Sequence, residues 1–316
     1  MGKIAFLFPG QGSQAVGMGQ ELLDEERVCK EIFERADQRL GYSLSEVMLH
    51  GPEETLRRTE NTQPALVTMS TAVLELLKEE NIQPDYVAGH SLGEYSALVA
   101  AGAMSFEDAV FAVRNRGLFM EEAVPYGEGA MAAVLGLERS VLEDVCLKVS
   151  KETSEPAELA NLNCPGQIVI SGSAKGVQFA SEKAKEAGAK RVIPLQVSGP
   201  FHSSLMKPAA IKLKEILEQL SVSDATIPVI ANVSAKGVQE ASQIRENLFE
   251  QVYSPVLWED TIRTLLDEGV ELFVEVGSGN VLSGLVRKVE RRAKVVAVSN
   301  REGVQKLKEM LEGVTE

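Results

Sequence analysis

The chain has 316 residues, 44% of them hydrophobic and 25% charged, enough apolar content for one large core or two smaller ones. A net charge of −14 argues against broad nucleic-acid binding, which needs a basic surface to displace phosphate counterions, and no apolar run approaches the roughly 20 residues of a membrane span. Cys29, Cys146 and Cys164 are too few and too scattered for a disulfide framework or a zinc site, and the stretch Met1 to Pro9 is broken too soon for a secretory signal, so a cytoplasmic protein is expected.

In chain order, Ile4 to Phe8 reads as the first apolar strand. The glycine-rich Gly10-Gln11-Gly12-Ser13-Gln14 follows, but Gly17 lies two residues too far for G-x-G-x-x-G and no P-loop Lys or Ser/Thr follows it, which disfavours a nucleotide site. Between Thr62 and Glu80, Leu66, Met69, Val73, Leu74 and Leu77 recur at helical spacing, with Pro64 near the helix start where a missing N–H costs little. Further strands are expected at Tyr86 to Ala88, Ile227 to Val233, Leu272 to Val276 and Val295 to Val298, separated by helical segments. That alternation predicts an α/β fold with a largely parallel sheet. The middle reads differently: strand 130–135, helix 139–149, strands 158–163 and 168–171, helix 177–187 and strand 191–196 make βαββαβ, the ferredoxin-like order. We therefore expect residues 126–196 to be an inserted subdomain, carried by a core of 1–125 and 197–316.

Gly89-His90-Ser91-Leu92-Gly93 fits G-x-S-x-G between a strand and a helix, the setting in which a tight turn projects a nucleophilic serine and the helix start offers N–H groups to an oxyanion. Capping that helix is the plainer alternative role for Ser91. A serine needs a base, and the chain offers only His50, His90 and His202. His90 adjoins the serine but its side chain diverges from it, and His50 sits at an expected helix end. By elimination His202, in the irregular loop after the insert's last strand, is the candidate. No acid of a Ser-His-Asp triad stands out: Asp108 and Asp144 read as helix-surface residues, so a Ser/His dyad with another imidazole orienter fits better. Its imidazole is expected to titrate near the reference value of ~6.5. From the residues alone, either arginine of Arg114-Asn115-Arg116-Gly117 could belong to the surface.

These stretches together resemble the malonyl-CoA:acyl carrier protein transacylase family, relatives of polyketide synthase acyltransferase domains. The likeness rests on Phe8-Pro9-Gly10-Gln11-Gly12-Ser13-Gln14, Thr62-Gln63-Pro64-Ala65, Gly89 to Glu94, Arg114 to Gly117, Asn163-Cys164-Pro165-Gly166-Gln167, Pro200-Phe201-His202 and Glu275-Val276-Gly277-Ser278-Gly279, in the family's order over nearly the whole length. It implies an α/β-hydrolase-like core with a ferredoxin-like subdomain. It also implies that Ser91 is acylated, that His202 is its base, and that the backbone N–H groups of Gln11 and Leu92 form the oxyanion hole. Arg116 is implied to grip the malonyl carboxylate, and the backbone carbonyl of Gln251 to orient His202.

The implied partners are malonyl-CoA and acyl carrier protein, with no cofactor of the enzyme's own and a monomeric state. A carrier protein, expected to be acidic, needs a local positive patch; Arg287, Lys288, Arg291, Arg292 and Lys294 could supply one, although such a run more often forms a solvated helix face. Two departures stand out: bulky Phe201 precedes His202, and Gly277-Ser278-Gly279 replaces the usual Gly-Pro-Gly. The alternatives are a serine esterase or thioesterase, which needs neither Arg116 nor a thiol acceptor, and a non-catalytic carrier-protein-binding module.

Overall fold

A computed structural model describes residues 2–313. The strands are β1 (Lys3–Phe8), β2 (Tyr86–Gly89), β3 (Gly129–Leu135), β4 (Ala157–Cys164), β5 (Gln167–Ser173), β6 (Arg191–Pro194), β7 (Val229–Ile230), β8 (Gly237–Val238), β9 (Val270–Val276) and β10 (Lys294–Val298). Six form one sheet in the order β10-β9-β1-β2-β7-β8, parallel except for β8. Ala5, Phe6, Leu7 and Phe8 of its central strand are fully buried, as expected where helices cover both faces of a parallel sheet. The crossovers make this an α/β-hydrolase-like core.

The remaining strands form an antiparallel sheet in the order β4-β5-β3-β6, the ferredoxin-like arrangement. Helices Arg139–Thr153 and Ala174–Glu186 cover one of its faces, with Leu142, Cys146, Val177 and Ala180 packed on Val134, Leu159 and Ile170. The expected strands around Cys164-Pro165-Gly166 join through a tighter connection than the sequence suggested: β4 runs to Cys164, β5 starts at Gln167, and Gly166 takes φ +71° in the two-residue turn.

Two expectations need correction. The helix predicted from Thr62 starts at Thr59 and is buried on all sides through Leu74, so Pro64 lies inside it rather than near its start. The carbonyl of Glu60, which Pro64 cannot bond, instead accepts Arg114 Nη1 at 2.8 Å, so the proline's missing N–H leaves no orphan. The strand predicted at Ile227 to Val233 shrinks to Val229–Ile230. Beyond it the chain turns, and the Asn232 N–H leaves the ladder to donate to the Glu94 carboxyl at 3.1 Å.

Candidate active site

The parallel register brings the reactive loops together. Phe8 of β1 pairs with Gly89 of β2, and the His90 N–H donates to the Phe8 carbonyl at 3.0 Å, so Gln11 and Leu92 each lie three residues beyond paired strand ends. The elbow requires its glycines: a Cβ on Gly89 would stand 1.9 Å from the Gly93 carbonyl, and one on Gly93 would stand 2.2 Å from the Phe8 carbonyl. Ser91 is held at φ +53°, a left-handed conformation costly for a non-glycine residue, and the loop residue His202 at φ +57°.

Asn232 staples this turn, its Oδ1 accepting the Ser91 N–H at 2.8 Å and its Nδ2 donating to the Gly89 carbonyl at 2.7 Å. The N–H groups of Gly93, Glu94 and Tyr95 are occupied by the carbonyls of His90, Ser91 and Leu92. The Gly12 N–H is taken by the Gln14 side chain. Among the described residues the N–H groups of Gln11 and Leu92 carry no such bond.

Ser91 Oγ lies 2.8 Å from His202 Nε2. On the other side of the ring, Nδ1–H donates to the Gln251 carbonyl at 2.9 Å and is within 3.2 Å of the Ser254 carbonyl. Gln251 ends the helix Ala241–Gln251, where the final carbonyls have no intrahelical partner, so a helix terminus occupies the place of the missing triad acid. Asp108 and Asp144 lie on helices Phe106–Ala123 and Arg139–Thr153, away from this ring.

Burial, and then the positive charge of Arg116, pull the His202 pKa down to about 3. The imidazole is thus neutral and able to accept a proton across the physiological range, well below the expected ~6.5. The insert pins this loop: Glu158 of β4 accepts from the Ser204 N–H at 2.8 Å and from its hydroxyl. His90 turns away from the serine, with Nε2 2.8 Å from Asn163 Oδ1 and its ring against Trp258 at 5.3 Å. His50 ends the helix Leu44–His50 at the surface, 3.8 Å from Glu46.

The two candidate arginines separate cleanly, because positions i and i+2 of a helix point about 200° apart. Arg114 bonds the Glu60 carbonyl and Asn61 Oδ1 and lies over the Tyr42 ring. Arg116 is 1% exposed and reaches the nucleophile. Its Nη2 donates to Ser91 Oγ and Gln251 Oε1, both at 3.0 Å, and its Nη1 to Gln63 Oε1 at 2.8 Å. Its Nε is buried without a partner, and no carboxylate among the described residues is within ion-pair distance. Glu94 is reached only through Gln251 Nε2, at 2.7 Å, and burial raises its pKa to about 7.

Gln63, Glu94 and Asn232 were assigned no role from sequence. Their signal was polarity in buried surroundings: Gln63 just before the apolar run Pro64-Ala65-Leu66-Val67, Asn232 in Ile230-Ala231-Asn232-Val233, and Glu94 directly after the elbow. The substitution in Gly277-Ser278-Gly279 also has a use, since Ser278 Oγ donates to the Ser13 carbonyl at 2.7 Å, a bond proline could not make. It ties the loop after β9 to the loop after β1.

A buried serine on a neutral histidine, at the end of an α/β-hydrolase-like sheet, is the setting of an acyl-transferring enzyme, and residues 5–311 match the acyl transferase domain family. A malonyl CoA-acyl carrier protein transacylase from Bacillus subtilis is 60% identical over 96% of both chains. The solved malonyl CoA-acyl carrier protein transacylase of Coxiella burnetii superposes with a TM-score of 0.95 at 40% identity, covering 98% of each chain. A malonyl-transacylase solved with its type II PKS acyl-carrier protein gives 0.94 at 40% identity, covering 98% of this chain and 99% of that one. The chain belongs to the acyl transferase family, and within it to the malonyl CoA-acyl carrier protein transacylases.

Proposed function

We propose that the chain moves a malonyl group from malonyl-CoA to the phosphopantetheine thiol of acyl carrier protein, for fatty acid synthesis, through a malonyl-Ser91 intermediate. The observation that carries this reading is Arg116, a buried cation with an unpartnered Nε and only neutral acceptors beside the serine. A planar guanidinium matches a carboxylate, and malonyl differs from other short acyl groups by carrying one.

In the first half-reaction His202 Nε2 takes the Ser91 proton while Oγ attacks the thioester carbon. The Gln11 and Leu92 N–H groups stabilise the oxyanion, each such donor being worth roughly 10²–10³ in rate. The C–S bond then breaks, and the CoA sulfur leaves with the proton from His202. In the second, the carrier's thiol gives its proton to His202 and attacks the acyl carbon. The C–O bond breaks and Ser91 recovers its proton, a ping-pong cycle. The Gln251 carbonyl keeps Nδ1 protonated and Nε2 free to accept. A malonyl carboxylate on Arg116 also cancels part of the field that depresses His202, making it a stronger base once the substrate is bound.

Each step uses side chains and backbone of this chain, and the phosphopantetheine arrives with the carrier, so the mechanism calls for no cofactor of its own. In this reading the subdomain of 126–196 holds the base loop against the catalytic core of 1–125 and 197–316, through Glu158 and Asn163. Three free, buried cysteines, with Cys29 and Cys146 pushed up to about 12 by burial, suit a reducing compartment, and we place the enzyme in the cytoplasm.

Intact-mass measurement after brief mixing with malonyl-CoA tests the proposal. A malonyl adduct mapped to Ser91 and discharged by phosphopantetheinylated carrier protein is expected. Free malonate released without dependence on carrier would point to a hydrolase, and an unmodified protein would overturn the reading.

A further inference from the structure

We propose that the side-chain carboxamide of Gln251 is a positioning residue for acyl selectivity, holding Arg116 toward the substrate carboxylate without neutralising it. This role is separate from that of its backbone carbonyl on His202, and it rests on the malonyl-transfer reading above.

Gln251 is 0% exposed and touches three parts of the site at once. Its carbonyl faces His202 Nδ1 at 2.9 Å, and its Oε1 accepts Arg116 Nη2 at 3.0 Å. Its Nε2 points to the Ser91 carbonyl at 3.0 Å, Glu94 Oε2 at 2.7 Å and Asn232 Oδ1 at 3.3 Å. The surroundings fix the orientation of this amide. A guanidinium only donates, so the atom facing it must be the oxygen, and three oxygen acceptors on the other side require the NH₂.

The chemistry of the residue type matters here. A carboxylate in this place would pair with Arg116 and compete with the substrate. An apolar side chain would remove one of the arginine's three bonds and leave it no lateral anchor on this side. A carboxamide fixes the guanidinium through a dipole while leaving its net charge for the ligand. Gln63 does the same from the opposite side with one bond, but only Gln251 also ties the arginine to the backbone of the nucleophile.

The test compares Gln251→Leu and Gln251→Glu with the wild type. It measures kcat/KM for malonyl-CoA and acetyl-CoA with carrier protein as acceptor, together with the thermal midpoint. Both variants keep the backbone carbonyl that orients His202. The malonyl-to-acetyl ratio is expected to fall by roughly tenfold or more in each, the size of one lost charge-assisted bond, with the malonyl KM rising. Rates that fall in parallel, leaving the ratio unchanged, overturn the proposal. So does loss of folding in both variants, which assigns the carboxamide to stability alone. A wild type that forms no malonyl-Ser91 adduct defeats the functional reading itself, whereas an adduct with an unchanged ratio defeats only this inference.

Discussion

Arg116 and Arg301 are both held by several acceptors, and the acceptors differ in kind. Arg301 opens the helix Arg301–Glu312 and grips Glu26 with two bonds, at 2.8 and 2.7 Å, Glu79 at 2.6 Å and Glu80 at 3.4 Å, while Lys308 adds 2.7 Å to Glu80. Its charge is saturated by carboxylates, which raise its pKa, and its hydrogen bonds in turn lower that of Glu26. Arg116 meets one hydroxyl and two amide oxygens, with Glu94 set behind Gln251 and its pKa raised to about 7. A cation saturated by carboxylates fastens the segments that meet there. A buried cation given only dipoles costs stability, and that cost is sensible where a ligand brings the missing charge.

Substitutions should therefore separate activity from stability according to region. The largest effect is expected for Ser91→Ala, which should abolish the malonyl adduct in intact-mass spectra while the thermal midpoint holds, since it removes one hydroxyl. An adduct persisting on another residue would break the assignment. His202→Ala should slow acylation by roughly 10²–10⁴, the usual scale for a general base. In the wild type the acid limb of kcat/KM should lie far below pH 6.5, because burial and Arg116 hold the free-enzyme imidazole down near 3, and the limb of kcat should lie higher once substrate pairs with Arg116. A kcat/KM limb near 6.5 would contradict that environment.

At the other arginine, Arg301→Ala should leave kcat/KM unchanged and cost about 1 kcal/mol, discounted for solvent screening, or roughly 1–2 °C in the thermal midpoint. That cost should shrink in high salt. Glu26 has a depressed pKa, so this stabilisation is present above the unfolded carboxyl value and is lost as pH falls through the folded one. Glu94 runs the opposite way: its raised pKa favours folding below about 4.5, and that contribution is lost as pH rises through about 7. Glu94→Gln should flatten this decline in a stability-against-pH series. An unaltered slope would mean that Glu94 ionises freely.

Much of this was legible in the sequence where local pattern determines the outcome. The apolar strands, the βαββαβ order and the G-x-S-x-G elbow depend on short-range periodicity and glycine placement, and three histidines left few choices of base. Arg116 was distinguished from Arg114 only by family resemblance, because their roles depend on what faces each side of the helix Phe106–Ala123. The start of the helix at Thr59 was hidden by Pro64, whose lost bond is replaced by a residue 50 positions away in the chain, Arg114. Asn232 looked like part of a strand, since its neighbours are apolar and its purpose, bracing the Ser91 turn, lies across the sheet. The imidazole pKa was misjudged because desolvation belongs to the folded surroundings of His202 and leaves no mark on Pro200-Phe201-His202.

The measurement that bears most directly on the uncommitted charge is kcat/KM for malonyl-CoA and acetyl-CoA in the wild type, Arg116→Ala and Arg114→Ala. The thioester and CoA handle are common to both substrates, so their ratio isolates the carboxylate. Loss of a buried charge-assisted pair should lower malonyl transfer by roughly 10- to 100-fold in Arg116→Ala and acetyl transfer far less, flattening or inverting the preference, while Arg114→Ala moves both together. Parallel losses for the two substrates in Arg116→Ala would contradict the account and make Arg116 a structural residue like Arg301.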